Sequence, residues 1–397
     1  MGDVSALVAN RGTGEFELKV ALVSAYDYPY PGGVTEHIHY LDIYLRRWGH
    51  VVKILALSTY EESELPDNFI KVSGTALPLP LSGSISRVSL SPAIDRRVKH
   101  ILEREQFDII HAHEPMMPAV PLAVLRHSHA INIGTFHAYR KTHAGYNYGK
   151  HLLQPFFERL DGKIAVSLAA RDMVAHYFPD DYRVIPNGID WESFSRPELA
   201  VLPEYADGRP TILFLGRLEK RKGFEYLLRA FPFVLHEFPT ARLLVAGAYS
   251  KEDAEPHLHY VQEQGIAGVE FIGYVKSERK PLLYRSCDVF CAPSTGFESF
   301  GIVLLEAMAS GRAIVASDIV GYREVLQNNR QGLLVPSENE QALAEAIIKL
   351  LRRPELRERM GREGKQTAAD YSWERVAGRV LDYYREVAIK KGRRIEE

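Results

Sequence analysis

Cysteine is scarce: the 397 residues hold two, Cys287 and Cys291. On one strand they would stand about 13 Å apart, beyond disulfide reach. They read as buried thiols in a reducing cytoplasm. Long apolar runs are missing too. None reaches the roughly eighteen residues a spanning helix needs. The first residues carry no apolar signal-peptide core. N-myristoylation after Met1-Gly2 would want Ser or Thr where Ala6 stands. Residues 1–17 read as a loose leader. An excess of either charge is also lacking. The formal net charge of −2 argues against a nucleic-acid partner. No fixed-period repeat and no low-complexity segment occurs. The basic end around Lys390 to Arg394 reads as a solvated terminus.

What the chain has is a recurrent strand–helix alternation. The length suggests two domains. A buried-strand run at 19–24 precedes Pro31-Gly32-Gly33, an amphipathic helix over about 35–48 and a strand over about 51–55. This βαβ unit implies a parallel sheet covered on both faces. Further strands are expected over 107–110, ending in His111-Ala112-His113-Glu114, over 131–135, ending at Phe136-His137, and over 163–167. A second cycle starts at 211–216 and continues with strands over 241–246, 269–272, 288–292, 313–316 and 332–335. Two doubly wound α/β domains follow, over 18–190 and 191–372, with a last helix from about Ser372-Trp373 to the end. Open α/β sheets bind ligands beyond the carboxyl ends of their strands. Gly32, His111, His137, Arg217 and Glu298 all fall at such ends.

Four stretches could carry chemistry. Between Gly296 and Gly311, Glu298 and Glu306 lie eight positions apart around an expected helix start. Were both helical, about 12 Å of axis would separate them, too far to share a proton. Ser299 would cap the helix, and the amides of Phe300, Gly301 and Ile302 would be first-turn donors for an anion. Carboxylates flanking an anion site suit a nucleotide sugar; water-facing glutamates on an amphipathic helix are the bland alternative. After the strand ending at Gly216, Arg217 and Lys222 could neutralise a diphosphate, with Gly223 opening a helix. Gly32 and Gly33 would allow close backbone approach to a bulky or charged group, but the pattern is not the dinucleotide G-x-G-x-x-G. His111 and His113 share a strand face. A metal there would have only Glu114 as a near third ligand, so no metal site is assigned. His137 could bond a substrate hydroxyl or be a satisfied core histidine. Arg96, Arg97 and Lys99 border an apolar stripe of Ile94, Val98, Ile101 and Leu102. That suits either an anionic lipid surface or a plain solvated helix.

Together these stretches resemble the family-four glycosyltransferases. The motifs are Pro31-Gly32-Gly33-Val34, Thr135-Phe136-His137, Ile185-Pro186-Asn187-Gly188, Gly216-Arg217-Leu218 with Lys222-Gly223, and the Glu298/Glu306 pair. The match runs from about Leu18 onward. Within the group the chain is most similar to bacterial phosphatidylinositol mannosyltransferases, through Ile110-His111-Ala112-His113-Glu114-Pro115, Cys291-Ala292-Pro293 and the segment 298–309. The resemblance implies the GT-B architecture: two facing Rossmann-like domains with an interdomain cleft, the last helix crossing back to the first. It implies catalytic or donor-binding roles as well. Arg217 and Lys222 would hold the donor diphosphate with the Gly301 and Ile302 amides, beside Phe300. Glu298 would hold sugar hydroxyls and Glu306 the ribose. Gly32 and Gly33 would approach donor and acceptor, and His137 would sit beside the sugar. Arg87 would approach the acceptor phosphate, and the helix bearing Arg96, Arg97 and Lys99 would touch the membrane. Leu81-Ser82 and the segment 138–143 depart from the subgroup.

The implied reaction is a retaining, metal-free transfer of a hexose, mannose from GDP-mannose, to a lipid-linked or glycan acceptor such as phosphatidylinositol. It would run in the cytoplasm or peripherally on the membrane's inner face. A UDP-sugar hexosyltransferase is the runner-up. A nucleotide-sugar epimerase would need an acid/base pair at C2, which the Arg217, Lys222, Glu298 and Glu306 set does not resemble. A non-catalytic sugar-nucleotide-binding partner could have lost some motif residues, whereas this chain keeps them.

Overall fold

Residues Val20 to Ser24 are all buried in the strand Lys19–Ser24 (β1). Burial of consecutive residues, not alternate ones, marks a strand covered on both faces. In the computed structural model the described residues are 17–30, 32–74, 77–81, 84–88, 93–138, 144–296 and 298–392. Most of the expected leader, Pro31, Ser82, the divergent segment 139–143, Phe297 and the last residues of the basic end lie outside them.

The chain forms two compact units, one running to Asn187 and taking up again at Trp373, the other spanning 188–372. In the first unit β1 is joined by Val51–Leu57 (β2), Phe69–Ser73 (β3), Leu77–Leu81 (β4), Ser84–Val88 (β5), Ile109–His113 (β6), Ile131–Phe136 (β7), Gly162–Ala165 (β8) and Arg183–Val184 (β9). The main sheet is parallel in the order β3-β2-β1-β6-β7-β8-β9. β4 and β5 pair separately and antiparallel, with Arg87 opposite Pro78. In the second unit Thr211–Leu215 (β10), Arg242–Ala246 (β11), Val269–Gly273 (β12), Val289–Ala292 (β13), Ala313–Ser317 (β14) and Gly332–Val335 (β15) give the order β12-β11-β10-β13-β14-β15. Both sheets reverse direction of growth beside their first strand, at β1/β6 and at β10/β13. Crevices at carboxyl ends open at such reversals.

The helix Trp373–Lys390 belongs to the first unit. Its Trp373, Val376, Val380, Tyr384 and Val387 share a core with Leu22, Ile54 and Ile133. Gly162 permits this docking, because a Cβ there would meet Tyr383 and Val387 side chains at 3.0 Å or less. The Lys163 amide donates to the Tyr383 hydroxyl at 3.0 Å.

Several expectations need correction. His111 and His113 lie within β6, as expected, whereas the strand starts at Ile109 and not at 107. The short strands β3 and β9 and the β4–β5 pair were not anticipated; β3 and β9 are short and lack a continuous buried run. Cys287 precedes β13 and does not share it with Cys291. Both thiols are free and buried, and burial pushes Cys287 up to about 12, so it stays protonated. Among the described residues no helix is long and apolar enough to cross a membrane.

Candidate functional site

Two loops meet at the carboxyl ends of β10 and β13. After β10 the chain makes a single 3-10 turn over Lys220–Lys222, then enters the helix Phe224–Glu237 through Gly223 at φ 65°. No other residue type fits there, since the Pro293 carbonyl occupies the place of a Cβ. The Thr295 amide donates to the Arg221 carbonyl at 2.9 Å and ties this turn to the loop after β13.

That tie brings Glu298 against the cationic turn. One oxygen, Oε1, accepts from Lys222 Nζ at 2.5 Å and from Arg221 Nη1 at 2.7 Å. Arg221 Nε donates to Glu219 at 2.8 Å, and Arg217 reaches the other oxygen of Glu219, also at 2.8 Å. Arg217, Glu219, Arg221, Glu298 and Lys222 thus form one alternating chain, three cations against two carboxylates, with one positive charge in excess. The Glu298 side chain is 11% exposed and that of Arg217 45%. The buried end is therefore rigidly paired, while a guanidinium is presented to solvent. Such a group can take up a dianion by exchanging internal partners for phosphate oxygens. Arg217, Lys222 and Glu298 were expected here. Arg221 and Glu219 were missed, although they stand in the same run; nothing in their spacing tells which cation turns inward.

The helix expected to begin at Ser299 instead spans Ile302–Ala309, with Gly301 at φ 86° as its N-terminal boundary and no side-chain cap. A Cβ on Gly301 would press on the Tyr322 ring at 2.8 Å. First-turn amides therefore start at Ile302. Phe300 precedes the helix and is buried, its ring 5.7 Å from that of Tyr371. Glu298 is outside the helix, so the 12 Å helical spacing does not apply. Glu306 is 4% exposed. It accepts from the Tyr284 hydroxyl at 2.8 Å and faces Lys280 Nζ at 3.4 Å. Burial first, and this carboxylate second, hold the Tyr284 hydroxyl well above its ordinary range, so it stays a donor.

In the first unit four imidazoles gather at the carboxyl ends of β6 and β7. His111 uses both nitrogens, on the Tyr384 hydroxyl at 2.6 Å and on Thr135 Oγ1 at 2.5 Å. His113 Nδ1 lies 3.0 Å from His137 Nε2. His37, from the helix Gly33–Arg47, joins them with Nδ1 2.9 Å from Asn187 Oδ1. Sequence reading missed His37, a helix position with no local signal. Glu114, the third ligand a metal would have needed, instead accepts the His137 and Ala138 amides at 2.7 and 2.8 Å. Among the described residues no group of three or more ligating side chains is disposed to hold a metal ion. Burial drives His37 down to about 4, the Asn187 hydrogen bond partly opposing it. Burial likewise holds His111, His113 and His137 well below the usual imidazole range, so all four rings are neutral.

Gly32 has extended backbone, and neither Gly32 nor Gly33 has a described atom within 4 Å of a Cβ position. The stripe next to Arg96, Arg97 and Lys99 cannot meet a membrane. Ile94, Val98, Ile101 and Leu102 pack inward on Ala21, Val23 and Ile110. The helix Ala93–Glu105 keeps only its charged face, with Arg96, Arg97, Lys99 and His100 exposed. Arg87 lies on β5, away from both clusters in sequence.

Comparison with known proteins bears on the family and the fold. The family described as "Glycosyltransferase Family 4" matches residues 31–193, and "Glycosyl transferases group 1" matches 199–367. The phosphatidyl-myo-inositol mannosyltransferase of Mycobacterium leprae is 36% identical over 94% of this chain and 97% of that protein. The phosphatidyl-myo-inositol mannosyltransferase of Mycobacterium tuberculosis is 37% identical over the same shares. A solved glycosyltransferase from Rickettsia africae superposes with a TM-score of 0.76, at 20% identity, over 94% of this chain and 98% of the other, which speaks for the fold. With motifs, sheet order and relatives in agreement, the chain belongs to the family-four glycosyltransferases and has their GT-B fold.

Proposed function

We propose that the chain moves mannose from GDP-mannose to a phosphatidylinositol-type lipid, with retention at the anomeric carbon and without a metal ion. The observation that carries this reading is the alternating chain Arg217–Glu219–Arg221–Glu298–Lys222 at the sheet reversal. The named activity of the mycobacterial relatives supports mannose and the inositol lipid.

In this reading the donor diphosphate takes Arg217 and Lys222, aided by the Gly301 and Ile302 amides ahead of the short helix. Lys222 exchanges Glu298 for phosphate, and Arg221 keeps the carboxylate in place. Glu298 then accepts from hydroxyls of the hexose, Glu306 serves the ribose, and His137 lies beside the sugar. Fixed cations answer the charge that develops on the leaving phosphate, the work a metal would otherwise do. The bond from C1 to the phosphate oxygen breaks. The acceptor oxygen bonds to C1 from the same face, and its proton passes to the departing phosphate. Gly32 and Gly33 leave room for donor and acceptor, and Arg87 meets the lipid phosphate. Arg96, Arg97 and Lys99 supply a purely electrostatic membrane contact.

A different lipid acceptor is the second reading, favoured by Leu81-Ser82, where the subgroup would have Tyr-Asn beside the head group. Incubating the protein with radiolabelled GDP-mannose or UDP-hexoses and vesicles of phosphatidylinositol, or of a whole lipid extract, tests both. Label should move from GDP-mannose to phosphatidylinositol. Transfer only to another extract lipid would fix the acceptor otherwise, and transfer only from a UDP-sugar would reject the donor.

A further inference from the structure

Two ring nitrogens of the histidine cluster, Nε2 of His37 and Nε2 of His113, are buried with no hydrogen-bond partner among the described residues. For His37 the reason is direct. Its Nδ1 faces the Asn187 oxygen, which can only accept, so Nδ1 carries the proton and Nε2 is a bare lone pair. A buried lone pair is tolerated more often than a buried unpaired N–H.

The same rule decides His113. Its Nδ1 and the Nε2 of His137 share one hydrogen bond, so one ring donates and the other accepts. Were His113 the acceptor, its only proton would sit on Nε2, where no described partner receives it. As the donor, His113 leaves only a bare lone pair at Nε2, as His37 does. His137 must then accept through Nε2 and carry its own proton on Nδ1. His113 is fully buried, with the His111 ring 4.3 Å away and the His37 ring 5.1 Å away. Glu114 clamps the amides of His137 and Ala138.

We propose that His113 is a positioning residue that holds His137 as its Nδ1–H tautomer, so that His137 meets a bound ligand as a hydrogen-bond donor and never as a base. Both rings are neutral, since burial disfavours the cation. With Nε2 occupied, His137 has no lone pair to offer. Its partner is therefore an oxygen acceptor, a hydroxyl or ring oxygen of a hexose. The identity of that partner rests on the sugar-transfer reading; the tautomer does not.

Long-range proton–nitrogen spectra of the whole protein, with ¹⁵N in the histidine rings, test the tautomer without altering the chain. His137→Gln supplies the assignment. Protons should appear on Nδ1 of His37, His113 and His137. A proton on Nε2 of His137, or averaging between its nitrogens, overturns the proposal. Transfer from GDP-mannose to phosphatidylinositol vesicles gives a second measure. His113→Asn keeps a side-chain donor and should retain kcat within about threefold. His113→Leu should lose about tenfold in kcat, with KM for GDP-mannose unchanged, as expected for one hydrogen bond. Equal losses in the two variants overturn it. If the tautomer is as stated but His137→Gln and Lys222→Ala transfer at the full rate, it is the sugar-transfer reading that fails, and with it the ligand assigned to His137.

Discussion

Lys222 Nζ lies 2.5 Å from Glu298 Oε1, the same oxygen that Arg221 holds from its other side. The carboxylate is doubly held and can release one partner without losing its place. Lys222→Ala should therefore leave Glu298 seated and the fold intact, while removing one cation from an incoming diphosphate. Loss of one charge-assisted hydrogen bond is worth about 1.5–3 kcal/mol, or roughly 10- to 150-fold in affinity. Calorimetric titration with GDP should show it, with an unchanged unfolding midpoint. Equal GDP affinity in the variant would remove Lys222 from the anion site.

Arg221→Met should act differently. It frees Glu298 on the side away from Lys222, so the expected loss is in discrimination between sugars. GDP-mannose and a deoxy analogue should be used at more similar kcat/KM, with GDP affinity changed by no more than about threefold, the scale of a weak or partly screened pair. Unchanged discrimination would mean that Arg221 does not orient Glu298.

Gly223→Ala should destabilise the second unit by about 2 kcal/mol or more. It combines a left-handed φ of 65° with a carbonyl in the place of the new methyl. Thermal unfolding should show a lower transition, whereas Gly265→Ala, at φ 60° but in open space, should cost only the backbone share. Equal effects would mean that the Pro293 contact is unimportant.

Acid should unfold the first unit before its carboxylates matter. The pKa of His37 is depressed from 6.5 to about 4 by burial, so the unfolded chain binds the proton more readily. Its stabilising effect is complete above about pH 6.5 and is lost as pH falls toward 4. The loss is on the order of 3 kcal/mol for this ring alone. Urea titrations at pH 7.5, 6 and 5 should show a steady fall, and His37→Gln should lessen it by this ring's share, with His111, His113 and His137 supplying the rest. An unchanged slope would show that His37 is not the group responsible.

Membrane contact should depend on charge alone. With the apolar stripe of the helix Ala93–Glu105 buried, Arg96, Arg97 and Lys99 offer only attraction to anionic lipid, about 1 kcal/mol each. Changing all three to Ser should weaken flotation with anionic vesicles about a hundredfold and leave binding to neutral vesicles alone. Unaltered flotation would exclude this helix.

The sequence made the sheets legible because β1 and β13 carry unbroken apolar runs, and it made their ends legible because glycine, histidine and arginine cluster there. Arg217, Lys222 and Glu298 could be chosen by chemistry. What stayed hidden depends on distance in the chain. Arg221 and Glu298 are 77 residues apart, and His37 and Asn187 are 150 apart. No local pattern announces such pairs. The start of the short helix at Ile302 was misjudged because Ser299 looks like a cap, while the real boundary is set by how closely Gly301 lies to Tyr322.

The helix Trp373–Lys390 gives the first unit a gap in time as well as in sequence. Residues 188–372 are contiguous, so this unit can close while the chain is still being made. Until Trp373 and Tyr384 have left the ribosome, the core around Leu22, Ile54 and Ile133 lacks the part that this helix supplies. A chain halted before Trp373 would hold a finished second unit and an unfinished first, and the unfinished part is where a nascent chain would need a chaperone.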